Sequence, residues 1–252
     1  MTITSTLRPS GVRTVTMDYP PVNALPVAGW FHVAAAMHEA TADAQTRVVI
    51  LRAEGRGFNA GVDIKEMQRV EGFSGVLGAS RGCYEAFKAI YECAVPVIAA
   101  VNGFCRGGGV GLAGNSDVIV ASDDATFGVP EVERGALGAA THLSRLVPQH
   151  MLRSMYYTSR TVTAQRLEEF GSVTTVVPRA ELDDAALAIA DEIAAKDPRV
   201  IRAAKEALNG IDPIDVNRSY RFEQGFTFEL NLAGVADQHR DAFVATGENL
   251  ST

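Results

Sequence analysis

The chain has 252 residues, 47% of them apolar, and its formal net charge at pH 7 is −7. This length and composition suit one large domain with a sizeable core, or one domain with an appendage. The acidic balance argues against a surface for nucleic acid or anionic membrane, and no apolar run approaches transmembrane length.

The first half of the chain repeats strand, loop and helix. Short apolar or alternating runs predict the strands, and apolar residues at helical spacing predict the helices. We predict strands over residues 12–17, 46–53 and 97–101, and helices over Val27–Ala42, Ile64–Arg69 and within 73–93.

The second half begins with short strands and ends in helices. We predict strands over residues 117–121 and 172–177, then helices over 182–195, 200–209 and through 226–232. From residue 181 onward the pattern is entirely helical. We therefore predict a core over residues 1–180 and a helical region over 181–252, which packs on the core or on a neighbouring subunit.

Cysteine usage and the first residues predict the cellular compartment. Cys83, Cys93 and Cys105 form no C-x-x-C pair, which is typical of reduced core thiols. The first residues lack the apolar segment of a secretory signal. No cluster of side chains has metal-ligand spacing. We expect a cytoplasmic protein without a metal site.

A glycine-rich stretch follows the strand at 97–101. Residues 109–114 match G-x-G-x-x-G, which in a dinucleotide-binding unit opens a crossover helix of about a dozen residues or more. Here the next predicted strand starts at residue 117, so that context is missing. Two other interpretations remain: glycines for tight helix packing, or backbone N–H groups that face a developing negative charge.

A second glycine-broken loop, Ala60-Gly61, follows the strand at 46–53. Loops after neighbouring strands can meet at one end of a sheet. The N–H groups of Val62 and Gly108 could then hold a thioester oxygen as it becomes an enolate.

Four stretches together resemble the crotonase, or enoyl-CoA hydratase/isomerase, superfamily: residues 58–67, 97–109, 117–119 and 127–131. The resemblance implies an α/β fold, a spiral of ββα repeats with a helical C-terminal trimerisation region. It implies an acyl-CoA thioester as substrate, with CoA as part of the substrate and no separate cofactor. It also implies an oxyanion hole made by Val62 and Gly108, and a homotrimer or a dimer of trimers. Nucleic acid and membrane are not expected partners.

The same resemblance implies contacts to CoA. Ala60, Asp63, Ile64 and Lys65 would lie against its adenine and pantetheine, and Phe243 matches a C-terminal phenylalanine of the family. Well-known hydratases have a lysine three residues later, where this chain has Thr246.

The acid/base residues depart from the hydratase pattern. Hydratases of this family use two glutamates, of which Glu131 matches the second while Gly111 stands at the position of the first. Glycine transfers no proton, so hydration by a glutamate pair is not expected. Glu131 is predicted to be catalytic, the alternative being a carboxylate that only stabilises a helix N-terminus.

His142 falls where the family usually has small glycines near the pocket. It is a candidate general base, or else a hydrogen-bonded wall residue. Arg134 either pairs locally with Glu133 or reaches the pocket.

Several reactions remain open for one glutamate and an oxyanion hole. Longer runs, residues 53–68 and 129–150 among them, are similar to a bacterial crotonase subgroup that opens rings of bicyclic CoA thioesters in steroid breakdown. We therefore expect hydrolytic C–C ring opening of a β-diketone thioester. The alternatives are a Δ3–Δ2 enoyl-CoA isomerase, an atypical hydratase, a non-catalytic CoA-binding member and, last, a nucleotide-dependent oxidoreductase.

Overall fold

The computed structural model describes residues 1–70 and 73–246. The strands are β1 (Thr2–Leu7), β2 (Val12–Asp18), β3 (Val48–Ala53), β4 (Val97–Val101), β5 (Phe104–Arg106), β6 (Val118–Ser122), β7 (Thr126–Gly128), β8 (Val162–Thr163) and β9 (Thr175–Val177). The helices are α1 (Val27–Ala42), α2 (Ile64–Arg69), α3 (Ser74–Tyr91), α4 (Gly108–Asn115), α5 (Ala140–Leu143), α6 (Gln149–Thr158), α7 (Ala164–Glu169), α8 (Leu182–Ala194), α9 (Pro198–Ile211), α10 (Val216–Leu232) and α11 (Val235–Thr246).

A six-stranded sheet in the order β1-β2-β3-β4-β6-β9 forms the centre of the molecule. β1 runs antiparallel to β2, and every other neighbouring pair is parallel. Parallel strands covered on both faces are expected to be apolar throughout, and all five residues of β4 are buried. A smaller sheet, β5-β7-β8, lies beside the glycine-rich stretch.

Helices cover both faces of the large sheet. On one face α1 packs against α3, with Trp30 and Ile90 in the main core. On the other face α8 contributes Leu182 and Ala186 to a second apolar cluster, which includes Ile98 of β4. The first helix of the predicted region 181–252 therefore packs directly on the sheet.

The strongly periodic elements agree with the sequence predictions. The helices Val27–Ala42 and Ile64–Arg69 and the strand Val97–Val101 have the predicted bounds. β5 was not predicted, and it separates β4 from α4, so the glycine-rich stretch is strand, strand and helix. No helix within residues 1–70 and 73–246 is long and apolar enough to cross a membrane.

Candidate active site

The two glycine-broken loops meet through Asn59. Its carbonyl accepts a hydrogen bond from the N–H of Arg106 at 2.9 Å, which joins the first loop to β5. Its Oδ1 accepts from the N–H of Gly61 at 2.8 Å, and its Nδ2 donates to the carbonyl of Asn23 at 2.6 Å. Both polar atoms of this buried amide thus take part in fixing the loop. The prediction that both loops lie at one end of the sheet is confirmed.

The backbones at Gly61 and Gly108 approach closely. Gly61 has φ +89°, and a Cβ there would lie 3.3 Å from the nitrogen of Gly108. Among the described residues, the N–H of Val62 donates to no protein acceptor. Gly108 is the first residue of α4, so its N–H precedes the helical hydrogen-bond pattern. Two neighbouring donors therefore remain for a ligand.

A cavity of about 140 Å³ opens beside these donors, and Val62, Gly108 and Glu131 all line it. The rest of its wall is mostly apolar and comes largely from α2, α3, α10, α11 and the loop at residues 136–139. Prominent wall residues are Met67, Val76, Cys83, Phe87, Leu137 and Tyr220. A mostly apolar cavity with a few convergent polar groups is the usual form of a small-molecule binding site.

Glu131 supplies the carboxyl of this cavity. It immediately precedes a 3₁₀ turn, Val132–Arg134. Its Oε2 is buried and has no hydrogen-bond partner among the described residues. Gly107 lies against the other oxygen, and a Cβ at that glycine would overlap Oε1. Burial raises the pKa of Glu131 to about 8, which places its proton transfer near neutral pH.

A model of the enoyl-CoA hydratase/isomerase family matches residues 8–226 of this sequence. The chain belongs to the enoyl-CoA hydratase/isomerase family. The fold is shared with an enoyl-CoA hydratase/isomerase from Xanthobacter autotrophicus Py2, at a TM-score of 0.87 and 30% identity over 97% of this chain and 93% of that one. The predicted crotonase-type fold is therefore confirmed.

Two relatives are similar over nearly their whole length. One from Mycobacterium tuberculosis H37Rv is 71% identical over 97% of this chain and 99% of the relative. One from Rhodococcus jostii RHA1 is 68% identical over 98% and 96%. Both are named (7aS)-7a-methyl-1,5-dioxo-2,3,5,6,7,7a-hexahydro-1H-indene-carboxyl-CoA hydrolase. A carnitinyl-CoA dehydratase from Salmonella enteritidis PT4 is 32% identical over 82% of this chain and 80% of the relative.

The position of the missing hydratase glutamate is filled by an aromatic ring. A Cβ at Gly111 would overlap the ring of Phe87, which lines the cavity from α3. Phe87 itself is held edge-on by Trp30 at 5.7 Å between ring centroids. Gly111 thus leaves room for a hydrophobic wall at the position where the resemblance to hydratases implies a carboxylate.

His142 is placed behind this wall. Its ring lies 4.7 Å from that of Phe87 and 4.9 Å from that of Tyr220, and both of these residues line the cavity. Its Nδ1 is 2.9 Å from Nδ2 of Asn115. Burial and the nearby charge of Arg145 lower the pKa of His142 to about 3. The structure therefore does not bring His142 to Glu131, and a base so weak is ill-suited to proton transfer at neutral pH.

Of the five residues predicted to contact CoA, two line the cavity and three do not. Ala60 and Ile64 line the cavity. Asp63 begins α2 and accepts hydrogen bonds from the N–H groups of Lys65 and Glu66, so its carboxylate acts as a helix cap. Lys65 is exposed at the start of the same helix. Phe243, on α11, lies outside the cavity wall but stacks on Arg134, which is part of that wall.

Sequence reasoning missed the part of the wall that comes from the C-terminal helices. α10 contributes Tyr220, Gln224 and Asn231, and α11 contributes Arg240. The spacing of apolar residues in this region predicts helices, but it does not show which helix face packs against residues 60–139. Only the packing of α10 on α3 and α5 brings these side chains to the cavity.

A second buried glutamate, Glu223, is not part of the cavity wall. Its Oε1 accepts from the N–H of Ala140 and from the hydroxyl of Tyr156, at 2.9 and 3.1 Å. Its Oε2 accepts from the N–H and hydroxyl of Thr141. Four donors satisfy this carboxylate and anchor α5 to α10. Glu131 is therefore the carboxyl that the cavity presents to a ligand.

Proposed function

We propose that this chain hydrolyses a carbon–carbon bond in a ring of a bicyclic, diketone CoA thioester, as a step of steroid ring degradation. The observation that carries the proposal is a single buried carboxyl, Glu131, in one cavity with two backbone donors. The position of a second carboxyl is filled by Phe87. The names of the two most similar relatives reported above describe a hydrolase of this substrate class.

The proposed chemistry follows from the compound in those names. Its ring ketones stand at positions 1 and 5, and its hydrogenated positions leave a double bond between C3a and C4. C7a, which carries the methyl group, is bonded to both C1 and C3a. Hydroxide adds to C1, and the C1–C7a bond then breaks with its electron pair on C7a. This pair is delocalised through C3a=C4 onto the C5 oxygen. We place the carboxyl-CoA group on C4, where its thioester oxygen shares the same charge.

In this scheme Glu131 acts twice. Its carboxylate takes a proton from water as the oxygen attacks C1, and the resulting carboxylic acid returns that proton to C7a. The products are a new carboxylic acid at C1 and a C–H bond at C7a, with the net addition of one water. A pKa of about 8 suits a group that must gain and lose a proton in one cycle.

The N–H groups of Val62 and Gly108 are proposed to hold the thioester oxygen while it carries negative charge. Removal of one donor of such a pair typically costs about 10²–10³ in rate. Ala60, Ile64 and Lys65 are proposed to hold CoA, the exposed ammonium of Lys65 being suited to a phosphate. Phe243 does not line the cavity, and it is proposed to affect the site indirectly, by stacking on Arg134. Asp63 is proposed to support this surface by capping α2.

Two further properties stay proposals. We propose a homotrimer or a dimer of trimers, which is supported by exposed apolar side chains on the C-terminal helices: Val200, Leu208, Ile211, Phe222 and Leu232. We also propose a cytoplasmic protein that needs no cofactor besides the CoA of its substrate.

A Δ3–Δ2 enoyl-CoA isomerase is the second candidate, because one base beside an oxyanion hole also suffices to move a proton between carbons. Product analysis separates the two. The bicyclic 1,5-dione CoA thioester is incubated with the protein in H₂¹⁸O, and the product is examined by mass spectrometry with fragmentation.

Hydrolysis predicts a gain of one water, with ¹⁸O in a new carboxyl that couples to an amine through a carbodiimide. Simple hydration gives the same mass but no new carboxyl, and isomerisation gives no mass change. Either of these two outcomes, or binding without any product, would contradict the proposed function.

A further inference from the structure

Arg134 places a cation in the same cavity as Glu131. The two residues stand at the start and the end of one short turn, and both line the cavity wall. The cavity thus presents a carboxyl, a pair of backbone donors and a guanidinium to one enclosed space. The proposed proton transfers and the proposed thioester contacts involve the first two groups, and the guanidinium has no role in them.

Within residues 1–70 and 73–246, the side chain of Arg134 donates no hydrogen bond. Its Nε is buried and has no hydrogen-bond partner among residues 1–70 and 73–246. The carbon at the centre of its guanidinium lies 4.4 Å from the centre of the Phe243 ring. Stacking on this face fixes the plane of the group and leaves the N–H edge available.

The other arginine of the wall provides a comparison. Arg240 donates from Nη1 to Oδ1 of Asn231 at 2.7 Å, and its Nη2 pairs with Asp237. Arg134 forms no such hydrogen bond or ion pair within the described part of the chain. A half-buried guanidinium without such partners is poorly compensated, and burial lowers the pKa of Arg134 while the charges of Glu131 and Glu133 raise it. An anion in the cavity would complete its hydrogen bonding.

We propose that Arg134 is a second oxyanion-binding residue, which binds the oxygen of the ring ketone as that oxygen becomes an alkoxide and then part of a carboxylate. The inference rests on the proposed function and extends it. Arg134 donates hydrogen bonds and undergoes no covalent change. The backbone donors of Val62 and Gly108 serve the thioester oxygen, and Arg134 serves the oxygen of the acyl group at which the new acid forms. The preferred ligand class is therefore an acyl-CoA whose acyl group ends in a carboxylate.

Binding of simple CoA thioesters tests this assignment without any turnover. Glutaryl-CoA and valeryl-CoA have the same acyl chain length and differ in a terminal carboxylate, as do adipoyl-CoA and hexanoyl-CoA. Dissociation constants for all four are measured by calorimetry on the wild type, Arg134→Met and Arg134→Lys. Methionine keeps an apolar contact with Phe243, and lysine keeps the charge but loses the planar fork.

The control is Arg166→Met. Arg166 likewise stacks on an aromatic ring, that of Phe170 at 4.5 Å, and pairs with Glu169 at an exposed site outside the cavity wall. This substitution removes a stacked arginine without altering the cavity.

The wild type and the control are expected to bind glutaryl-CoA or adipoyl-CoA about tenfold or more tightly than the thioester of the same length that lacks the carboxylate. The reason is that a charge-assisted hydrogen bond is strong in an enclosed site. In Arg134→Met the ratio of the two dissociation constants should fall to about one, while the affinities for valeryl-CoA and hexanoyl-CoA stay unchanged. Arg134→Lys should give an intermediate ratio. An unchanged ratio in a folded Arg134→Met protein, or no preference in the wild type, would overturn the assignment.

The two proposals can fail separately. If the carboxylate preference depends on Arg134 but the bicyclic thioester gives no ring-opened acid, the binding assignment stands and the proposed hydrolysis fails. If ring opening occurs and Arg134→Met keeps both the preference and a kcat within about twofold of the wild type, the hydrolysis stands and the role of Arg134 fails.

Discussion

Glu131 must lose a proton before it can activate water, and its surroundings set the pH at which this happens. Burial raises its pKa to about 8; the charge of Arg134 opposes this rise, and that of Glu223 adds to it. At pH 6 most molecules are therefore protonated at Glu131 and inactive as a base. Burial and the nearby charge of Glu131 both raise the pKa of the Cys83 thiol. Cys83 therefore stays neutral and does not act as a base.

The pH profile of turnover follows from this pKa. We expect kcat/KM to rise about tenfold per pH unit below pH 7, to reach half its maximum near pH 8 and to level off above pH 9. The measurement is initial rate against pH from 6 to 9.5, corrected for spontaneous thioester hydrolysis. A profile already flat at pH 6 would show that Glu131 ionises at an ordinary pKa, or that another group is the base.

Gly107 determines whether Glu131 can occupy its place. This glycine has φ +52°, and a Cβ on it would overlap the carboxyl of Glu131. Gly107→Ala is expected to cost roughly 1–3 kcal/mol of folding free energy through backbone strain. It should also lower kcat by about 100-fold, because small displacements of reacting groups are costly.

Chemical denaturation and steady-state kinetics measure the two effects of Gly107→Ala. Gly210→Ala is the matched control, since a Cβ at Gly210 on α9 would meet no atom within 4 Å. A Gly107→Ala protein with the kcat of the control would contradict the close contact between residues 107 and 131.

Single residues differ in how far the sequence alone could predict them. Glu131, Val62 and Gly108 were predicted because each stands in a motif whose order along the chain reflects one site, and the structure brings all three to one cavity. His142 was a candidate base because it also lies close to these motifs in sequence. Its position behind Phe87 results from side-chain packing between α3, α4, α5 and α10, which no local pattern encodes. Arg134 remained ambiguous for the same reason.

At the scale of secondary-structure elements, the packing of α3 on α4 distinguishes this site from one with two carboxylates. Phe87 on α3 fits against Gly111 on α4 without room for a side chain. We expect Gly111→Ala to destabilise the protein by about 1–3 kcal/mol through overpacking, and Phe87→Ala to cost about 3–5 kcal/mol through a cavity.

The double variant, Phe87→Ala with Gly111→Ala, should lose less stability than the sum of the two single changes, by at least about 0.5 kcal/mol. Urea denaturation of the wild type and the three variants completes this cycle. Additive losses would mean that the ring of Phe87 does not occupy the space above Gly111.

Several elements with a clear pattern, such as α1, α2 and β4, were predicted with their bounds, whereas β1, β5 and β8 were not predicted. β5 and β8 have three and two residues, too few to show a period, and they exist because they pair with β7. β1 is rich in threonine and serine, and its exposed and half-buried residues alternate at the sheet edge. Tertiary pairing rather than local sequence therefore determines these three strands.

At the scale of the whole molecule, the helical region after residue 181 has three different environments. α8 covers the sheet, and α10 and α11 complete the cavity wall. α9 and α10 also expose large apolar side chains, with Ile211 76% and Phe222 72% exposed. A soluble chain usually covers so many exposed apolar residues with another subunit.

We expect light scattering to give three or six times the chain mass of 26.8 kDa. Phe222→Asp should shift the protein toward the monomer, because a charge in an apolar interface loses its hydration. Phe31→Asp on α1 is the control with an exposed phenylalanine outside the C-terminal helices. A wild-type monomer at micromolar concentration, or the same assembly in both variants, would contradict an interface at α10.

One buried carboxyl, Glu131, is proposed to carry out both proton transfers beside an independent binding site for the thioester. Glu131→Gln keeps the shape of the side chain and removes its proton transfer, so binding and chemistry should separate. The decisive measurement is the single-turnover rate of ring opening, alongside the dissociation constant for the bicyclic CoA thioester, in this variant and the wild type. We predict an affinity within about threefold of the wild type and a rate lower by about 10³-fold or more. A rate within about tenfold of the wild type would show that Glu131 does not carry out these proton transfers.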